Sequence, residues 1–252
     1  MPTRSGGSRP LNKRGDMLDR IMEVPGTPPA GVAAEALKGE TTVQEPDRAG
    51  RVIARRSAEI RATVPDLELA VDVDAGPLLA RAQAEGCTTT ALLIAACAGA
   101  LRAFPRVNGA YRDGHYELYS RVNVGLVIQT PEGPVTATVL DADIRSAADI
   151  DDDVTRLTTR ARSGELTPPD QAGATFTFED LREQGVHRAA GLVRPSQAAI
   201  LTAGAIRGVP VLHDGAVVPG HQVTLTLACD HRIVFGAVAT GFLRRVTEFV
   251  QE

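Results

Sequence analysis

Cys229-Asp230-His231-Arg232-Ile233-Val234-Phe235-Gly236 lies between two patterned segments. Before it, Val223 to Leu227 alternates apolar and polar residues. After it, from Ala237 to Val250, Val238, Phe242, Val246 and Phe249 recur at spacings of three and four. The first pattern reads as a strand with one buried face, the second as a helix with one apolar face. His231 therefore sits on a strand-to-helix turn, at a rim where a side chain meets solvent. The other histidines, His115, His187, His213 and His221, fall in polar, turn-like contexts and receive no role.

Working outward, Leu67, Leu69, Val71 and Val73 alternate with Glu68, Ala70, Asp72 and Asp74, a strand. The helix formers from Arg51 onward end at Pro65, and two further helices are expected at Leu78 to Ala84 and Thr88 to Phe104. Ala91 to Leu101 is apolar on every side, which marks a buried core helix, since it is too short to span a bilayer. Tyr111 to Leu118, Val122 to Ile128, Val135 to Leu140, Ala174 to Phe178 and Ala198 to Ala203 read as strands. Ser146 to Ser163 reads as a polar helix, its Asp149, Asp151, Asp152 and Asp153 at the start and Arg156, Arg160 and Arg162 at the end. That charge order complements the helix dipole, so the acidic run is a solvated helix start and not a metal site. Residues 1–50, punctuated by Gly and Pro, read as a mobile arm with at most a helical turn at Asp16 to Met22. Residues 51–252 then form one α/β domain with no repeat and no Gly-rich phosphate loop.

The chain has 252 residues, of which 43% are hydrophobic and 23% charged, enough for a substantial core. Its net charge of −4 gives no electrostatic footprint for nucleic acid. Cys87, Cys97 and Cys229 form no CxxC pair, so neither a disulfide framework nor a zinc knuckle is indicated, and a reducing cytoplasm fits this usage. No membrane segment or signal peptide is expected.

The motifs around this frame resemble the catalytic domain of the dihydrolipoamide acyltransferase component of 2-oxo acid dehydrogenase complexes, a family with the chloramphenicol acetyltransferase-like fold. Arg51-Val52-Ile53-Ala54-Arg55-Arg56-Ser57 with Val64-Pro65 is similar to the family's opening R-x-V-I-A-x-R-L helix and its I-P stop. Val71-Asp72-Val73-Asp74 matches a strand ending D-V-D, and Pro105-Arg106-Val107-Asn108 matches P-x-x-N. Val124 to Ala137, Gly173 to Arg182 and Pro195 to Gly204 are similar to three further family segments, and Asp230 to Gly236 resembles the signature D-H-R-x-x-D-G.

The resemblance implies a mixed sheet flanked by helices, a homotrimer, and an active site in a channel between subunits. Coenzyme A enters one end and the acceptor the other. The signature histidine, here His231 between Asp230 and Arg232, is then the general base that takes the acceptor's proton as it attacks a thioester. The family's oxyanion-binding serine is replaced by Glu179, and the aspartate four residues after the histidine by Phe235, which leaves Arg56 without its expected partner. Thr177 becomes the nearest substitute hydroxyl donor, and Glu179 and Arg56 are expected to pair. No lipoyl or subunit-binding domain is recognised before Arg51, and no apolar tail follows Val250, so a free-standing enzyme is expected. It would bind no cofactor, use acetyl-CoA or an acyl carrier protein thioester as co-substrate, and acylate a small-molecule alcohol or thiol, as in tetronate-type antibiotic metabolism. A catalytically degraded trimeric scaffold and a lipoamide acyltransferase served by a lipoyl domain on another chain are the alternatives.

Overall fold

The computed structural model describes residues 39–213 and 215–251. Most of the expected arm, with its turn at 16–22, lies outside the described residues. From residue 49 onward the described residues form one compact unit. The elements run α1 (Arg48–Thr63), β1 (Asp66–Asp74), α2 (Gly76–Glu85), α3 (Thr89–Ala103), β2 (Gly109–Arg112), β3 (His115–Leu118), β4 (Val124–Thr130), β5 (Gly133–Val139), α4 (Ala147–Arg162), β6 (Phe176–Asp180), β7 (Ala199–Ala203), β8 (Arg207–His213), β9 (Ala216–Asp230) and α5 (Gly236–Gln251). Pro65 ends α1, because proline supplies no donor to the helix ladder and restricts the residue before it.

Six strands lie in the order β1-β9-β7-β6-β4-β5, and β8 pairs with β9 to complete a seven-stranded sheet. β6 runs parallel to both β4 and β7, while the other pairings are antiparallel. The sheet is thus mixed, as the resemblance implied. One face carries Leu126, Phe176, Phe178, Leu201, Leu225 and Leu227, all buried under the helices. Phe242 of α5 packs edge-on to Phe104 and tilted against Phe176. α3 is buried along nearly its whole circumference, which accounts for its lack of a polar face. No single helix among the described residues is long and apolar enough to cross a membrane.

The opposite face is lined with threonines. Thr177, Thr202, Thr224, Thr226 and, on β5, Thr138 are all buried. Part of this face lies under a small cluster of Ile60 of α1, Val64 just after it, and Ala190 and Val193 from the long segment between β6 and β7.

Two strand expectations need correction. Tyr111 to Leu118 is not one strand but the hairpin β2–β3, turned by Asp113 (φ 48°) and Gly114 (φ 82°). Asp-Gly is a strong signal for such a two-residue turn. Val223 to Leu227 is only the centre of the fifteen-residue β9, and its partner β8 had no sequence expectation at all. The cause is proline: Pro210 and Pro219 face each other across β8 and β9. They interrupt the pattern, yet are tolerated where a strand edge is free of a further partner.

The acidic start of α4 is more than solvated. Ser146 and Asp149 form a reciprocal capping box, Asp153 pairs with Arg145 and Arg156, and Asp151 accepts hydrogen bonds from the backbone N–H and hydroxyl of Thr88, the N-cap of α3. This run staples two helices together.

Gly204 follows β7 where the backbone of Val186 and His187 passes over it. A Cβ built there would lie 1.9 Å from the His187 carbonyl oxygen. Gly204→Ala is expected to lower stability by about 3 kcal/mol through overpacking, read as a reduced urea midpoint at unchanged slope.

Candidate active site

β9 delivers His231. The backbone N–H of Asp230 bonds to the Ala198 carbonyl at 2.8 Å, the last tie to the sheet, and the His231 N–H bonds to the Pro65 carbonyl at 2.8 Å. The proline that stops α1 thus also holds the histidine's backbone. The Asp230 side chain is buried and accepts from Arg232 through its backbone N–H (3.0 Å), Nε (2.9 Å) and Nη2 (2.7 Å). Asp230 and Arg232 lock the turn, and the His231 side chain between them is exposed. Cys229 is buried and its thiol is pushed up to about 12 by burial, which removes it as a thiolate nucleophile at neutral pH.

Phe235 lies edge-to-face with the His231 ring, centroids 6.0 Å apart, and is itself 42% exposed. The Arg106 guanidinium stands 5.8 Å over the Phe235 ring and 5.3 Å over Tyr116, while Arg232 stands 4.7 Å over Tyr111. Tyr111 and Tyr116 meet across the β2–β3 hairpin at 6.2 Å. A chain of cation–π and ring contacts therefore leads from the imidazole through Phe235, Arg106, Tyr116 and Tyr111 to Arg232. Sequence reasoning gave no role to Arg106, Tyr111 or Tyr116. A signal existed in the Pro105 to Asn108 match: buried Asn108 donates to the carbonyls of Tyr119 and Arg121 and so fixes the hairpin that carries both tyrosines.

The second group lies on β6. Thr177 is fully buried, and its hydroxyl donates to Gln197 Oε1 at 2.5 Å, while Gln197 Nε2 donates to the Ala174 carbonyl. Its proton is committed, which corrects the expectation of a free oxyanion donor. Glu179 is partly buried and accepts a long 3.5 Å hydrogen bond from Thr202. Burial pushes its carboxyl above the usual range, against the pull of the Thr202 hydroxyl and of Arg194.

No ion pair joins Glu179 to Arg56 among the described residues, so the expected partnership is absent within one chain. Arg56 is exposed on α1, one turn before Ile60. The cation beside Glu179 is Arg194, half-buried, hydrogen-bonded to Thr136, and lowered in pKa first by burial and then by the charge of Arg56. Sequence reasoning missed Arg194, although it directly precedes the matched segment at Pro195.

The register separates the two groups. Glu179 lies opposite Thr202, and Thr202 opposite Thr226, five residues before His231. Two strand spacings across and five residues along place Glu179 and His231 about 20 Å apart, at opposite ends of the sheet. A cavity of about 710 Å³ between the helices and the ends of β4 and β6, lined among others by Thr88, Thr90, Leu126, Thr158 and Arg182, includes none of the seven residues assigned from sequence. Among the described residues no three His, Cys, Asp or Glu side chains gather as metal ligands.

Comparison with known proteins places this geometry. Residues 38–252 match the family model of the 2-oxoacid dehydrogenases acyltransferase catalytic domain. The Dictyostelium discoideum mitochondrial dihydrolipoyllysine-residue acetyltransferase component of the pyruvate dehydrogenase complex is 30% identical over 210 residues, 80% of this chain and 33% of that protein. This chain spans about a third to a half of the length of the curated relatives it matches. The Azotobacter vinelandii dihydrolipoamide acetyltransferase structure is 26% identical with a TM-score of 0.79, covering 89% of this chain and 97% of that one. In that protein a serine, a histidine fifty-two residues later and an asparagine four residues beyond it have been examined for their role in catalysis. Glu179, His231 and Phe235 have the same spacing here, and the last position, expected to hold aspartate in the family, is asparagine in that relative. Chloramphenicol acetyltransferase shares the fold alone, at 14% identity and a TM-score of 0.50 over 78% of this chain and 94% of that one. On its sequence, its mixed sheet and the turn that presents His231, the chain belongs to the family of 2-oxoacid dehydrogenase acyltransferase catalytic domains.

Proposed function

We propose that this domain transfers an acyl group, in the first instance acetyl, from a CoA or carrier-protein thioester to a thiol or hydroxyl acceptor. The observation that carries the reading is His231: an exposed imidazole on a rigid turn, at the signature position of an acyltransferase family. The acceptor's S–H or O–H gives its proton to the imidazole while its sulfur or oxygen attacks the thioester carbonyl. Collapse of the tetrahedral intermediate expels the thiolate, which takes the proton back from His231. Asp230 and Arg232 position the imidazole without touching the reacting atoms.

The active site is formed between copies of the chain in a homotrimer, with His231 from one copy and the end of β6 from its neighbour. The 20 Å separation within one chain supports this arrangement. The dihydrolipoyl group, which the relatives' names specify, is one acceptor to test. An uncharged alcohol, as in specialised metabolism, is the other, favoured by the exposed apolar ring of Phe235 beside His231.

Following free thiol release from acetyl-CoA, with dihydrolipoamide or with a panel of primary alcohols, tests the reading. His231→Ala is expected to lower the transfer rate by about 100-fold or more with the fold retained. An undiminished His231→Ala rate would defeat the mechanism, and a catalytically silent wild type with every donor and acceptor would favour a binding or scaffold role. Light scattering is expected to give three times the chain mass, and a monodisperse monomer would contradict the shared site. Asp230→Ala, which removes the hydrogen bonds that Arg232 donates and frees the turn, is expected to cost about 2 kcal/mol in denaturant unfolding and to slow turnover together with it.

A further inference from the structure

We propose that Glu179 works as a neutral carboxylic acid, donating a hydrogen bond to the oxyanion of the tetrahedral intermediate from the position that holds a serine in the Azotobacter relative. This rests on the acyl-transfer reading and on a site shared between copies. An ionised carboxylate there would oppose negative charge on the carbonyl oxygen. A protonated one supplies the O–H that serine would, in the way a buried carboxylic acid serves as a donor in other oxyanion holes.

The surroundings of Glu179 favour the acid form. It is the last residue but one of β6, on the threonine-lined face, with uncharged Val127 of β4 on one side and Thr202 of β7 on the other. Thr202 offers one long hydrogen bond to Oε2, and a Cβ on Gly191 would lie only 3.3 Å from that same oxygen. Glu179 makes no ion pair among the described residues, because the Arg194 guanidinium is drawn away to Thr136, two strands across on β5. Arg56 of α1 acts on Arg194. A poorly solvated carboxyl without a cation in contact is stabilised as the neutral species. Burial raises its titration accordingly, and Arg194 restrains that rise.

The step balances without a further reactant. The acceptor atom bonds to the thioester carbon, the carbonyl π pair moves onto oxygen, and His231 of the neighbouring copy holds the acceptor's proton. Glu179 keeps its own proton throughout and shares it with the oxyanion. When the carbonyl re-forms, the C–S bond breaks, and the departing thiolate recovers the proton from His231.

The active form then needs His231 deprotonated and Glu179 protonated, so kcat/KM with acetyl-CoA should be bell-shaped in pH. The test is the ratio of wild-type to variant rates across pH, in which titration of the acceptor and of His231 cancels. Glu179→Ala should lose about 100-fold in kcat with KM little changed, while Glu179→Gln and Glu179→Ser, which keep a neutral donor, should recover to within about tenfold of wild type and lose the alkaline decline that Glu179 causes. Arg194→Gln should move that decline to higher pH, because a charge favouring the carboxylate is gone. A Glu179→Ala enzyme as fast as wild type, or an identical alkaline limb in Glu179→Gln, would overturn the proposal. His231→Ala in the same assay separates the two failures: if it is harmless, the acyl-transfer reading is wrong, and if it alone is crippled, only the role of Glu179 falls. Infrared difference spectra of wild type against Glu179→Gln supply a readout independent of turnover. The neutral-carboxyl band should titrate above the ordinary glutamic acid range, and a midpoint within that range would count against the neutral acid.

Discussion

From Leu225 to Cys229, β9 is hydrogen-bonded on both sides, to β1 and to β7, and this double pairing is the constraint from which the rest of the structure follows. A strand held on two edges cannot slip by one residue without exchanging its buried and polar faces. The register therefore fixes where the strand ends, and hence where Asp230 turns the chain. Because β1 follows directly on Pro65, the same pairing brings the Pro65 carbonyl to the His231 amide. The helix stop, the edge of the sheet and the position of the imidazole are consequences of one ladder.

The two sheet faces then divide the labour. Helices bury the face that carries the phenylalanines, which supplies the cohesion of the fold. The threonine-lined face carries Glu179, with Arg194 near it and Arg56 beyond. Charges in such a half-buried setting act at longer range than they would in water, so Arg194 matters to Glu179 without touching it. The substitution of glutamate at the serine position thus sits within a changed electrostatic neighbourhood and not in an otherwise ordinary one.

Much of this was legible in the sequence wherever the signal was local. Alternation marked β1 and the centre of β9, Pro65 marked the end of α1, and the turn residues around His231 marked its rim. What escaped was held by partners distant in the chain. Thr177 and Glu179, two residues apart on one strand, share a face as the period of two requires, but the hydroxyl partner of Thr177, Gln197, lies twenty residues on. Arg106, Tyr111 and Tyr116 reach the histidine through cation–π and ring contacts, which leave no period in a sequence. Arg56 and Glu179 carry opposite charges at altered positions, which a sequence shows, but the distance between them it does not. The prolines of β8 and β9 hid a hairpin by breaking its alternation.

The central claim is that His231 and Glu179, at opposite ends of one sheet, serve a single reaction between two copies of the chain. Its most direct test is complementation: His231→Ala and Glu179→Ala chains, each inactive alone, are co-expressed with different affinity tags and the mixed oligomers isolated by both. A copy lacking one group leaves a neighbouring pair intact, so the mixed oligomers should regain a substantial fraction of wild-type activity per complete site. Mixed oligomers as inactive as their parents would show that both groups must lie in the same chain, and would contradict the shared site.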